Sequence, residues 1–289
     1  MNAKGVTLIE LVITIVILGI LGALAAVILV PAFEAYYTSQ RRAETADIAD
    51  AALRRIAGDV RLALPNSPRV DGTSSFLELL LTKNGGRYRA LNDNNAGTTE
   101  EALDFGTPET VFDTLGLLPA AGLEQQVAAN DYVVIQNLGI AGANAYDIGA
   151  ANPNIAQIGA FGAGALANEN RITLAAATNF PLDSPGRRFF VVQGPVTYAC
   201  VGAGLAGGNG TGELRRWSGY TIQLRGGLPP TTPPAGATVA VLASNLSACE
   251  LTYTSFSQVS RGLVGLRLTI TRGNEAVTLY YEAHVNNVP

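Results

Sequence analysis

The stretch that most limits what this chain can become lies near its start. From Leu11 to Phe33 there is no formally charged residue, a run of 23. As a helix this run is about 35 Å long, slightly more than the ~30 Å hydrocarbon core of a bilayer. It exceeds the apolar part of an ordinary secretory signal, about 7–15 residues. One carboxylate, Glu10, stands directly before it. An unpaired charge costs roughly 2.5–3.5 kcal/mol at mid-membrane on insertion scales, and less near the interface. A membrane segment that keeps such a group needs a partner for it. The competing reading is a cleaved signal, because Ala23-Leu24-Ala25 has the small-x-small pattern that signal peptidase cuts. An acid inside the apolar region disfavours that reading.

The next stretch, Glu34 to Pro65, turns amphipathic. Ile48, Ala52, Ile56 and Val60 recur every four residues, and Ala49, Leu53 and Leu64 flank them on the same face. Arg41, Arg42, Glu44, Asp47, Arg54, Arg55 and Arg61 occupy the solvated remainder. Pro65 and Pro68 block continuation. The pattern predicts one helix from Val6 to Leu64, about 59 residues or ~88 Å. Pro31 removes one of its hydrogen bonds and predicts a kink.

The residues after Leu64 suffice for one large domain with a real core. Runs at 75–82, 130–140 and 170–175 read as strands, and 139–167, rich in Gly, Ala and Asn, reads as a long surface loop. The C-terminal third is β-rich. There Leu266, Leu268 and Ile270 alternate with Arg267, Thr269 and Thr271, as in a half-exposed strand, and "RGN" at 272–274 predicts a hairpin turn. "GGLPPTTPPAG" at 226–236 is a loop.

Several patterns invite chemistry and fail. A net charge of −4 leaves no basic footprint for nucleic acid. Two cysteines and one histidine cannot form the usual four-ligand Cys/His zinc site. "GAGLAG" at 202–207 has dinucleotide-loop spacing, but "GNGTGELRRW" after it cannot open a helix. "NDNNAGTTEE" at 92–101 misses the EF-hand pattern in either register; Asp93, Glu100 and Glu101 remain candidate calcium ligands. His284, two residues from Glu282, reads as an exposed Glu–His pair or a satisfied core histidine, and no serine nucleophile has a second histidine to work with. Arg87, Arg89, Arg215 and Arg216 could contact a partner subunit or only water, and water is the favoured reading.

Lys4-Gly5, then Val6-Thr7-Leu8-Ile9-Glu10-Leu11, then the long apolar run, resembles the start of type IV pilins and pseudopilins. The resemblance implies cleavage after Gly5 by a prepilin peptidase and N-methylation of Val6. Val6 departs from the Phe usual at that position. Glu10 becomes the fifth mature residue, where the family keeps a Glu. It would pair with the N-terminal amine of a neighbouring subunit, which offsets the cost of desolvating either charge alone. Arg41 and Arg42 beyond the span run against the positive-inside rule. The resemblance nevertheless implies a single-pass bacterial inner-membrane protein with its C-terminal domain in the periplasm. In that compartment Cys200 and Cys249 should be bonded, stabilising by roughly 4 kcal/mol in the chain-entropy model.

The implied organisation is a leader (1–5), a transmembrane helix segment (6–33), an amphipathic half (34–64) and a β-rich globular domain (65–289). The fold class is α+β and pilin-like, with the long helix packed on an antiparallel sheet that carries long loops. The order of "VRLALPNSPRV", "GGRYR", "GELRRWSGY", "NLSACELTY", "GLVGLRLTIT" and "HVNNVP" resembles minor pilin-like subunits of the mannose-sensitive haemagglutinin (MSHA) pilus system. These are similar in layout to a type II secretion pseudopilin. The implied role is structural, not enzymatic, in starting or tipping a filament. The implied partners are other minor pilins or pseudopilins, the major pilin, the prepilin peptidase and the inner membrane, with no cofactor and no nucleic acid. A secretion pseudopilin, or a filament-tip adhesin using residues 91–190, are the alternatives.

Overall fold

A computed structural model describes residues 5–92, 99–119, 122–223, 227–256 and 261–288. Helix α1 runs unbroken from Leu8 to Arg61, through Pro31. It stops before the prolines because the sheet captures the chain first: the Leu64 N–H donates to the Leu80 carbonyl at 2.7 Å, and the Thr82 N–H to the Leu62 carbonyl at 2.8 Å. Among the described residues thirteen strands follow: β1 (Arg69–Val70), β2 (Phe76–Arg87), β3 (Glu109–Asp113), β4 (Tyr132–Ile135), β5 (Ile155–Ala163), β6 (Asn170–Thr178), β7 (Arg188–Val201), β8 (Leu205–Ala206), β9 (Asn209–Gly210), β10 (Gly212–Ser218), β11 (Thr238–Phe256), β12 (Arg261–Arg272) and β13 (Glu275–Asn286).

Eleven of them form one sheet in the order β13-β12-β11-β10-β7-β4-β5-β6-β3, with β2 also pairing β7 and β1 pairing β2. All these strand pairs are antiparallel. The C-terminal half of α1 lies on this sheet, sharing a core with β2, β7 and β10–β13. A second core gathers Phe112, Val133, Ile135, Ile158, Ile172, Phe189 and Val191 under β3–β7. Strand β7 ties the two together, giving Phe189 and Val191 to one and Val196, Tyr198 and Cys200 to the other. The build is the α+β, pilin-like arrangement of a long N-terminal helix against a large antiparallel sheet.

Two expectations change. The segment 139–167 is not a surface loop: it holds β5, with Ile155, Ala156 and Ile158 buried, and Ala143, Ala145 and Tyr146 buried before it. Its small residues serve close approach, since a Cβ on Gly159 would sit 3.2 Å from the Ala175 Cα on β6. On the helix, Ile48 is 37% exposed, and the buried stripe is Ala49, Ala52, Leu53, Ile56, Ala57 and Val60. Alanines at its centre let α1 settle close to the strands. The turn at 272–274 is as expected: Gly273 and Asn274, with φ 57° and 65°, join Arg272 to Glu275.

Strand β11 pairs β10 up to Leu246, then leaves it to pair β12. That departure brings Cys249 to Cys200 on β7, and the two are bonded, Cα–Cα 6.3 Å. The loop before β2 reinforces the junction. The Cys200 N–H donates to the Ser75 carbonyl and the Leu251 N–H to that of Ser74. Asp71 braces the loop by accepting the N–H groups of Thr73, Ser75 and Phe76.

Candidate assembly site

The helix opens on a capping box. The Glu10 N–H donates to Thr7 Oγ1 at 3.3 Å, and the Thr7 N–H donates to Glu10 Oε2 at 3.4 Å. Thr7 Oγ1 also donates to Glu10 Oε2 at 3.3 Å. The carboxylate thus lies in the first turn, where the helix dipole favours an anion. Its bonds are long and solvent-exposed, which leaves it free to take a stronger partner.

From Val6 to Phe33 every residue is exposed, Leu8 to 81%. The span is long and apolar enough to cross a membrane, and none of its apolar window is buried in the chain. Phe33 and Tyr36, both exposed, follow at the position where aromatic rings suit a bilayer interface. The first fully buried residue of the helix is Thr45. The first tie between helix and sheet is Arg42 to Glu275 on β13, at 2.6 Å.

Near its end the helix is keyed to the sheet by Asp59. Tyr198 Oη donates to Asp59 Oδ2 at 2.6 Å, and Arg216 Nε donates to the same oxygen at 2.9 Å. Burial, then the Asp59 charge, pushes the Tyr198 hydroxyl pKa far up. Burial pulls the Arg216 pKa down, but Asp59 more than offsets it. Arg216 is therefore not water-facing as the sequence suggested; on the same face of β10 as buried Leu214 two residues earlier, it spans from strand to helix. Arg89 departs likewise, buried against Glu169 and 3.9 Å from Glu100. Arg215 pairs with Glu213 on its own strand. The signal that could have exposed Arg216 is this i+2 relation to an apolar strand residue.

The remaining candidates do not converge. Gly5 and Val6 lie at the exposed start of the described chain. Cys200 and Cys249 are bonded far from it in sequence. "GAGLAG" supplies β8 and the first turn residue of the β8–β9 hairpin, which turns at Gly207 and Gly208 and leads into β10 with no helix. His284 and Glu282 sit on the exposed face of β13. Asp93 lies outside the described residues, Glu100 is buried beside Arg89, and the Glu101 N–H donates to Asp113. Among the described residues, no three His, Cys, Asp or Glu side chains are grouped to hold a metal.

No curated protein and no solved structure matches the chain. Residues 1–26 match the model of the prokaryotic N-terminal methylation motif. The motif marks structural, pilin-type subunits rather than enzymes. It covers the very residues that build the capping box and begin the exposed apolar rod, so the start of this chain is similar to that of type IV pilin-like and pseudopilin-like proteins.

Proposed function

We propose that this chain is a minor pilin or pseudopilin that helps initiate or tip a type IV pilus of the MSHA type. Its later motifs most resemble the MSHA biogenesis protein MshO, itself similar in layout to the pseudopilin GspJ. In this reading the precursor sits in the bacterial inner membrane with its sheet domain in the periplasm. Prepilin peptidase cuts between Gly5 and Val6, and Val6 is N-methylated. Glu10 then accepts the methylated amine of a neighbouring subunit, exchanging its exposed bonds to Thr7 for a charge-assisted one.

One observation carries the reading: a fully exposed apolar rod, with its single acid at the start, joined to a domain that begins to bury it only at Thr45. Such a rod needs lipid before assembly and other helices after it. N-terminal mass spectrometry of the mature chain should find methylated Val6; a chain beginning near Ala26 would overturn the proposal. Glu10→Ala should leave expression intact and strongly reduce incorporation into filaments, measured by immunoblotting sheared filaments. Deletion of the gene should abolish surface pili while leaving secretion of exported enzymes unchanged; the reverse outcome assigns the chain to a type II secretion pseudopilus.

A further inference from the structure

Strand β7 is paired along one edge by β2, but along the other by two different strands. Strand β4 lies opposite Phe189–Val192, and β10 lies opposite 197–201. Between them, residues 193–196 have no strand partner on that edge among the described residues. A cleft of about 620 Å³ opens at this fork. The volume lies within the ordinary range for small-ligand sites, about 300–1,000 Å³.

The lining has a consistent chemistry. Leu81, Pro195 and Val196 give it an apolar side. Three exposed carboxamides, Asn130, Gln157 and Gln193, stand around it. Gln157 Nε2 donates to Asn130 Oδ1 at 3.4 Å, which leaves both amides with donors and acceptors to spare. Tyr220 forms a rigid wall: its hydroxyl donates to buried Glu78 at 2.8 Å, and Glu78 is held by Arg69. Among the described residues that line it there is no Asp, Glu or Lys. The single ion, Arg216, is already matched by Asp59.

This chemistry sorts the candidate occupants. A metal finds no carboxylate, and an anion finds only a cation that is already paired. A purely apolar ligand would strand the carboxamides. An extended peptide strand would meet Pro195, which has no N–H to donate to a ladder. A neutral sugar fits each requirement. Its hydroxyls both donate and accept, as the carboxamides do, and its C–H faces suit the apolar side.

We propose that the fork cleft binds a neutral oligosaccharide. The site rests on the cleft alone and stands or falls independently of filament assembly. The test uses the full chain in detergent micelles, screened on an array of neutral, sialylated and sulfated oligosaccharides. The best-retained glycan is then titrated by calorimetry. A neutral glycan should be retained, and Gln157→Ala with Gln193→Ala should weaken it roughly tenfold, the loss of two hydrogen-bonding groups. Both side chains are exposed, so the circular dichroism spectrum and thermal midpoint should not move. Thr278→Ala, exposed on β13 at the far edge of the sheet, should leave affinity unchanged. An array that retains no neutral glycan overturns the proposal. So does binding confined to acidic glycans, an affinity indifferent to the two glutamines, or a short extended peptide that displaces the sugar.

Discussion

The two halves of α1 are one continuous helix, yet they obey opposite rules. The first, Leu8 to Glu44, is the more apolar and buries nothing. The second, Thr45 to Arg61, is studded with charges and buries a full stripe. Apolarity therefore does not place a residue in this core; a complementary surface does. The second half presents small residues and one acid to a sheet shaped to receive them. From Leu11 to Phe33 the first half is apolar on all sides, the pattern of a helix surrounded by lipid or by other helices.

The sharpest way to break this contrast is to put the same acid into each half. Ile56 is fully buried, so Ile56→Asp should cost roughly 4 kcal/mol or more and leave little folded domain, as read by thermal unfolding. Ile17 is 50% exposed in the first half, so Ile17→Asp should leave the domain's unfolding midpoint unchanged. It should instead weaken membrane insertion by about 2.5–3.5 kcal/mol, measured in an insertion assay. Equal effects of the two on domain unfolding would erase the distinction.

Opening the crosslink between β7 and β11 tests the domain side alone. Replacing Cys200 and Cys249 by serine should destabilise the domain by about 2–4 kcal/mol in denaturant titration. It should not alter how the helix partitions into membranes. Asp59→Asn probes the junction itself. It leaves Arg216 without its counter-charge and should cost about 2–3 kcal/mol. Because Tyr198 and Arg216 share Asp59, Tyr198→Phe and Asp59→Asn should not add in a double-mutant cycle. Strict additivity would mean the key is not one unit.

The smallest effect lies farthest from the helix. Burial raises the Asp113 carboxyl pKa, but Arg171, bonded at 2.7 and 2.8 Å, and the Glu101 N–H more than offset it, so the group ends below its ordinary 3.8. The unfolded chain then binds the proton more tightly than the folded one, so acid favours unfolding. The stability from this pair is complete above about pH 4 and fades as pH falls through the lower folded value. Asp113→Asn should flatten that part of the acid limb in denaturant midpoints measured from pH 5 to 2, with no change in membrane insertion.

Much of this was legible in one dimension because the relevant forces are local. A run of 23 uncharged residues has to find an apolar environment wherever it goes. The period-four stripe names the buried face of the helix to within one position. The alternation around Leu266–Ile270 names a strand face, and Gly273-Asn274 names its turn. The capping box of Thr7 and Glu10 is just as local, a three-residue relation, but it emerged only with the structure, because in the sequence Glu10 reads as a partner for a neighbouring amine.

What only the tertiary structure decided involves partners far apart in the chain. Arg216 meets Asp59 across 157 positions and Arg89 meets Glu169 across 80; strand alternation hints that Arg216 turns inward, but no local pattern says which acid either arginine meets. The Gly- and Ala-rich stretch becomes a sheet strand because β6 approaches it closely. The fork cleft exists because β4 and β10 leave β7 in different places, which is a property of strand pairing and not of any segment. Local periodicity records which face is apolar; long-range pairing decides what that face, or that charge, will touch.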